Sequence, residues 1–347
     1  MTSTDWLASL SPWPEEFGLG RMRTLLATLG DPQLAFPAIH VVGTNGKSTA
    51  ARTIEALLLG EGLSVGATVS PHVRSWSERI TVDGREADFE GAIARVRAEA
   101  ELQGATQFET ITAGAFAEFA ARGVEVAVVE AGLGGRLDAT NVLRSRVVLL
   151  TNVGLEHTDV LGHTRQEIAA EKLAVVQEGT VAVLPDPEFA AFAGPDVVIG
   201  GAREAASVFL GRAVEAEVDV SLPGRLERRG DELWDGAHNP DGARWLARNL
   251  APADYVLCVS VLQDKNVDEM LRAFAELGRT FVATASSNER SLSAELLAER
   301  AALHFDRVDA VEDPHAALAR ARELGQPLVT GSLYLLADLS RISRNGA

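Results

Sequence analysis

The sequence predicts a two-domain α/β protein built on parallel sheets, and three observations lead there. Short β-branched runs alternate with longer stretches of helical period along the chain, the pattern of parallel strands joined by right-handed crossovers. At 347 residues the chain exceeds what one hydrophobic core usually serves. Residues 40–49, His-Val-Val-Gly-Thr-Asn-Gly-Lys-Ser-Thr, leave an apolar run and open an amphipathic stretch, as the strand, turn and helix of a phosphate cradle do.

In the first half the apolar runs 38–42, 65–69, 124–129 and 147–150 read as strands, and helical periodicity covers 47–59, 110–121 and 164–176. The second half repeats the scheme as a smaller doubly wound domain, with strands at 255–261, 280–285 and 327–329. Helices are expected there at 241–250, 267–277, 293–302 and 315–323. Between the halves, Ser221-Leu222-Pro223-Gly224 holds a breaker pair suited to a linker or to a loop within one domain. There is no tandem repeat and no low-complexity tract.

Composition narrows the function classes. With 46% hydrophobic and 23% charged residues the chain has material for packed cores and is expected to be soluble and globular. A formal charge of -17 disfavours non-specific nucleic-acid binding, because no basic excess exists to release counterions from phosphate backbones. The single Cys258 lies inside the apolar run 255–259, where a buried strand thiol is expected, and it allows no intramolecular disulfide. Residues 1–6 lack a basic region followed by an apolar core, and no later apolar run reaches membrane-spanning length. No membrane association and a cytoplasmic location are expected.

The glycine loop carries the first chemistry. Gly43 and Gly46 let backbone amides converge on an anion, and the helix start adds its positive dipole end. Lys47 and the hydroxyls of Ser48 and Thr49 are suited to phosphate oxygens and Mg²⁺. Only Thr44 and Asn45 separate the two glycines, so the spacing is not that of the common eight-residue loop, and a surface turn with a chance Gly-Lys-Ser is the bland alternative. Glu130 ends a strand beside the glycine-rich turn 132–141; it can ligate Mg²⁺ while Arg136 neutralises a substrate anion, or it can be a solvated carboxylate in a tight turn. His157, after the strand at 147–150, is a metal ligand or a structural hydrogen-bonding residue. In Ser70-Pro71-His72 the serine can complete a Mg²⁺ shell and the nearby Arg79 can meet a carboxylate, although Ser-Pro also serves turns for conformational reasons alone. Asp235-Gly236-Ala237-His238-Asn239-Pro240 joins ordinary turn dipeptides with a histidine at a strand-to-helix junction, which suits a ribose or phosphate contact.

Further along lie Gly20-Arg21-Met22 with Leu25-Leu26, Phe108-Glu109 with Thr112-Ala113, Glu171-Lys172, Pro223-Gly224-Arg225, the segment 262–265 and Gly331-Ser332-Leu333-Tyr334. Taken in this order with the clusters above, the chain resembles the folylpolyglutamate synthase and dihydrofolate synthase family of Mur-type ATP-dependent ligases. The resemblance implies a P-loop-type parallel-sheet ATPase domain over 1–221 followed by a smaller Rossmann-like α/β domain over 222–347. It implies a ligase that phosphorylates a carboxylate with ATP and joins it to L-glutamate, the acceptor being dihydropteroate or a reduced folate. Gly43, Thr44, Asn45, Gly46, Lys47, Ser48 and Thr49 would hold the phosphates, while Thr49, Ser70 and Glu130 would surround one Mg²⁺ and His157 would help bind a second. Lys172 matches a lysine that the family carbamylates, with a salt bridge as the structural alternative; a monovalent cation belongs to the same expectation. Lys47, Lys172 and His157 are the implied catalytic residues. Arg225, Asp235 and His238 match nucleotide contacts, Arg79, Arg136 and Ser332 fall on the substrate side, and closure between domains would exclude water from the acyl phosphate. A monomer is expected.

Two departures stand out. Ala205 occupies the place where the family carries an asparagine near the adenine, and the loop reads Lys47-Ser48-Thr49 where the family has Lys-Gly-Ser. The competing readings are a Mur-type amide ligase for another carboxylate and a noncatalytic nucleotide-binding regulator. A generic P-loop hydrolase or kinase leaves Glu171-Lys172 and the 235–240 turn unexplained.

Overall fold

A computed structural model of the protein describes residues 2–251 and 253–341. The chain divides into two compact units, Met1–Val220 and Ser221–Ala347, one residue before the expected boundary. Ser221-Leu222-Pro223-Gly224 opens the second unit. Leu222 bridges Arg225, and the Gly224 amide donates to the Glu227 carboxylate at 2.9 Å.

The first unit is built on eight strands: β1 Ala38–Val42, β2 Val65–Thr68, β3 Ile80–Val82, β4 Arg85–Glu86, β5 Val126–Glu130, β6 Ser145–Leu150, β7 Val181–Leu184 and β8 Val197–Ile199. Their order is β4-β3-β2-β5-β1-β6-β7-β8. The pairs are parallel except where β3 and β4 attach as an antiparallel edge. All five residues of β1 are buried, as befits a central strand covered on both faces, and this explains its nearly unbroken apolar run. The helix Lys47–Gly60 carries the chain from β1 across β5 to β2, whereas β6 leads outward to β7 on the other side. Strand order therefore reverses between β1 and β6, and the crevice beyond their carboxyl ends is where open α/β sheets take ligands.

The four expected strands of this half are present, with ends moved by up to two residues. The helix expected at 110–121 spans Gln107–Arg122, because Thr106 and Glu109 form a reciprocal capping box that starts it earlier. The helix expected at 164–176 ends at Leu173. Strands β7 and β8 and the helix Phe89–Gln103, started by the Asp88 side chain on the Gly91 amide, were not anticipated. The sheet is tightly faced: a Cβ on Gly66 of β2 would stand 2.5 Å from the Phe119 ring, so the strand is glycine there to admit a fully buried aromatic.

The second unit contains β9 Glu227–Arg229, β10 Glu232–Trp234, β11 Tyr255–Val259, β12 Thr280–Ala283, β13 Arg307–Ala310 and β14 Gln326–Thr330, in the order β13-β12-β11-β14-β10-β9. Only β9 runs antiparallel to its neighbour. Four of its helices, Pro240–Asn249, Val267–Phe274, Ala294–Ala301 and Pro314–Leu324, begin on side-chain caps from Asn239, Asn266, Ser293 and Asp313. Cys258 is fully buried in β11, and burial pushes its thiol up to about 12, which suits packing and not chemistry. Among the described residues no helix is long and apolar enough to cross a membrane.

Candidate active site

The phosphate loop joins β1 to the helix Lys47–Gly60, with Gly46 as left-handed N-cap at φ +78° and Lys47 as the first helical residue. It is braced against the segment that follows β6. Thr44 N donates to Asn152 O at 3.1 Å and Asn45 N to Asn152 Oδ1 at 2.8 Å, while Gly154 N donates to Thr44 Oγ1 at 3.0 Å and Thr151 Oγ1 to Asn45 O at 2.7 Å. A Cβ on Gly43, at φ +149°, would stand 2.0 Å from Thr151 Oγ1, so only glycine fits. The amides of Thr44 and Asn45 are thus spent on the brace. The helix start at Lys47 keeps its first amides for an anion in principle, and Lys47 Nζ rests on Thr44 O at 3.1 Å.

Glu130, the last residue of β5, is 3% exposed. Its Oε1 accepts from Ser48 Oγ at 3.1 Å and its Oε2 from Ser70 N at 2.9 Å; Ser48 Oγ also lies 3.4 Å from Ser70 O. The ends of β5, β1 and β2 are thereby drawn together. Of the two adjacent hydroxyls, Ser48 faces the carboxylate, whereas Thr49 is exposed with its carbonyl accepting from Thr53 Oγ1. A single carboxylate with a hydroxyl is a hard-oxygen donor set that fits Mg²⁺, an ion that keeps water and phosphate oxygens as its remaining ligands. Among the described residues no three His, Cys, Asp or Glu side chains gather as a protein-only metal cage. His157 is exposed, at φ +52°, and its carbonyl accepts from Val160 and Leu161 to start the turn Thr158–Leu161.

Lys172 is 4% exposed on the helix Arg165–Leu173, and its Nζ donates to Gly43 O at 2.9 Å. Burial, reinforced by the nearby Lys47 charge, holds its ammonium down at about 7, against the opposing pull of Glu156, Asp138 and Glu171. A lysine titrating there presents a substantial share of uncharged amine at neutral pH. The salt-bridge alternative for this pair belongs to Glu171, whose Oε2 accepts from Arg136 Nε at 3.0 Å. Arg136 is exposed and paired in this way. Arg79 is likewise engaged: it is 8% exposed, donates from Nε to His72 Nδ1 at 3.0 Å and lies 4.8 Å over the Trp76 ring.

Sequence reasoning missed a buried network under the glycine-rich turn. His40 Nε2 meets Thr140 Oγ1 at 2.7 Å, Thr140 Oγ1 reaches Asp138, and Asp138 accepts the amide of Leu133 at 2.8 Å. The signal was a histidine inside an otherwise apolar central strand, which burial obliges to find a partner.

In the second unit Asp235 follows β10, is 5% exposed and accepts from Leu226 N and Ala237 N, each at 2.9 Å. Burial pushes its carboxyl up, and the Arg225 charge opposes that. His238 Nδ1 lies 2.8 Å from Gly236 O, and Arg225 Nη1 donates to Gly224 O at 3.2 Å. Ser332 is 1% exposed and its hydroxyl accepts from Tyr334 N at 3.1 Å, so it caps the helix Leu333–Ser340. Ala205 is fully buried on the helix Ala202–Leu210, packed into the same apolar cluster as the helix Lys47–Gly60.

Residues 41–206 match the Mur ligase middle domain, and residues 224–333 match the glutamate ligase domain of Mur ligases. With a phosphate loop, a strand-end carboxylate and a buried amine at one sheet edge, this defines an ATP-dependent ligase of the Mur type. The chain is 31% identical over 410 residues to the dihydrofolate synthase/folylpolyglutamate synthase of Mycobacterium tuberculosis, covering 90% of this chain and 84% of that protein. It belongs to the folylpolyglutamate synthase/dihydrofolate synthase family. The Mycobacterium tuberculosis folylpolyglutamate synthase solved with ADP and AMPPCP superposes with a TM-score of 0.87 at 29% identity, covering 99% of this chain and 98% of that one. A bifunctional enzyme from Yersinia pestis, complexed with AMPPNP and a Mn ion, gives 0.84 at 28% identity over 98% and 97% of the two chains.

The position of Lys172 sets a pH dependence. Its folded-state value lies below the ordinary lysine range, so the unfolded chain binds the extra proton between about pH 7 and about pH 10. The cost of burying the ammonium is full below pH 7 and is relieved as pH rises through that window. Lys172→Met is therefore expected to raise the thermal midpoint near pH 6 and to give a shrinking gain toward pH 10, read from melting curves; a pH-independent effect contradicts the titration.

Proposed function

We propose that the chain joins L-glutamate to the carboxylate of a pteroate or folate acceptor, as a dihydrofolate synthase, a folylpolyglutamate synthase or both. The observation that carries the reading is the apposition at one sheet edge of a phosphate-loop helix start, the Glu130 carboxylate bonded to Ser48, and the buried Lys172 amine on Gly43 O. A carboxylate is a poor electrophile. Its oxygen attacks the γ-phosphorus of ATP and ADP leaves, giving an acyl phosphate; the glutamate amine then attacks the acyl carbon, phosphate leaves and the amine loses a proton. Lys47 and the helix N-terminus neutralise charge on the phosphate oxygens. Glu130 and Ser48 would hold the divalent ion, which supplies further neutralisation of the β- and γ-oxygens.

Lys172 fits carbamylation, because its uncharged form at neutral pH can attack CO₂. An N–C bond forms, one proton leaves, and the neutral amine becomes an anionic carbamate near the phosphate loop. Its Nζ sits on a loop carbonyl, so either state acts on the phosphate-binding segment. His157, on the rim after β6, remains the candidate for a second ion.

Phosphate release is to be measured with ATP, Mg²⁺ and L-glutamate against dihydropteroate, tetrahydrofolate or no acceptor, with mass spectrometry of the products. Acceptor-dependent release with a glutamate-sized mass increase is expected; no turnover with any pteroate or folate would move the assignment to another carboxylate. Glu130→Gln and His157→Ala are each expected to lower turnover by about 100-fold or more while shifting the thermal midpoint by only a few degrees. Near-normal turnover in either variant removes that residue from the metal assignment.

A further inference from the structure

His40 stands in the middle of β1, 1% exposed and three residues before Gly43 of the phosphate loop. Its Nε2 is 2.7 Å from Thr140 Oγ1, and the Thr140 hydroxyl makes a short contact with Asp138 Oδ1. Asp138 also accepts the amides of Leu133 at 2.8 Å and Thr140 at 3.0 Å, a set of donors that favours the carboxylate although burial pushes its carboxyl up. A hydroxyl carries one proton, and Thr140 gives it to that carboxylate. With Asp138 ionised, the histidine is then the donor to Thr140, which selects the neutral Nε2–H tautomer. Burial agrees, since it holds the imidazole down at about 4.

The turn gathered by Asp138 lies directly on the helix that bears Lys172. A Cβ on Gly135 would stand 2.3 Å from Lys172 O and 2.8 Å from Glu171 O, and Arg136 N donates to Glu171 O at 3.1 Å. Strand β1 therefore meets Lys172 by two routes. One is direct, from Lys172 Nζ to Gly43 O at 2.9 Å. The other runs from His40 through Thr140 and Asp138 to the glycine turn and the backbone at 171–172.

We infer that His40 is a positioning residue of the ligase reaction: through Thr140 and Asp138 it sets the glycine turn against residues 171–172, and so sets where Lys172 stands against the phosphate loop. The inference rests on the reading that Lys172 and Glu130 belong to the reaction centre. His40 touches no reacting atom, so its loss acts on the chemical step more than on nucleotide capture, which Lys47 and the helix start perform.

The test compares His40→Leu, His40→Gln, Thr140→Val and the His40→Leu/Thr140→Val double variant with wild type and with Lys172→Ala. The readouts are kcat, KM for ATP and circular dichroism, with ¹⁵N NMR of the wild-type histidines. His40→Leu and Thr140→Val are each expected to lower kcat by about tenfold or more, with KM for ATP changed by less than about threefold and the fold retained. The double variant should be no slower than the slower single one, because both break the same chain. His40→Gln keeps a side-chain N–H and should recover kcat to within about threefold of wild type. The wild-type ring should be the neutral Nε2–H tautomer. If His40→Leu does not fold, Thr140→Val, which retains shape, carries the same comparison. A kcat within about twofold of wild type in Thr140→Val, no rescue by His40→Gln, or an Nδ1–H tautomer overturns the inference. Lys172→Ala separates it from its premise: near-normal kcat there removes the reaction-centre reading itself, whereas an inactive Lys172→Ala beside a fully active Thr140→Val overturns the role of His40 alone.

Discussion

The parallel pairing of β1 with β5 on one side and β6 on the other is the constraint on which the rest of the first unit depends. In that register Val41 stands opposite both Glu130 and Leu149, and Val42 opposite Leu150. The carboxyl ends of three strands are thereby level. The loop leaving β1 can be braced by Asn152 and Gly154 from beyond β6 while Ser48 reaches Glu130 at the end of β5. A slip of one residue in the β1–β5 pairing would turn Glu130 to the opposite face of the sheet. No local interaction within the loop could restore the contact, because the brace and the carboxylate come from different strands.

Electrostatics follows from this geometry. The chain carries a formal charge of -17, yet Lys47 and Lys172 converge on the carbonyls of Thr44 and Gly43, at 3.1 Å and 2.9 Å. Two ammonium groups so close, one of them buried, cannot both stay charged at little cost, and the buried one yields. Lys172 is thus the buried amine whose charged form is disfavoured, while Lys47 stands half-buried on the phosphate loop. Net charge says nothing of this, because the local field is set by a few backbone oxygens and the low polarity around them.

Much of this arrangement was legible in the sequence, and the limits have physical causes. The phosphate loop, Glu130 at a strand end and the buried strand thiol at Cys258 follow from local pattern, because each depends on a few consecutive residues. The polar edge strand β13, Arg-Val-Asp-Ala, was not legible, since an exposed edge needs no apolar run. Side-chain assignments were least legible where the partner is distant in sequence. Thr49 was preferred to Ser48, and which of two adjacent hydroxyls faces residue 130 is decided by the helix phase relative to β5, which spacing does not encode. Arg79 and Arg136 have the right chemistry for anions, but His72 and Trp76 hold the first and Glu171 the second.

The second unit uses the same device with a different outcome. Asp235 also follows a strand end beside a glycine, but both of its oxygens accept backbone amides, from Leu226 and Ala237, so its charge is consumed in shaping the turn. A Cβ on Gly236 would stand 2.3 Å from the Leu333 side chain and 2.5 Å from Arg225 Nη1, so in this arrangement the glycine lets the guanidinium lie across the turn. Asp235 is then an anchor that orients its neighbours, and His238 with Arg225 is what the turn presents. Glu130 differs because a serine hydroxyl, and not a second backbone amide, meets one of its oxygens. A hydroxyl can rotate away and offer its own lone pairs, which a peptide N–H cannot, so the two strand ends differ in the donors that meet their carboxylates.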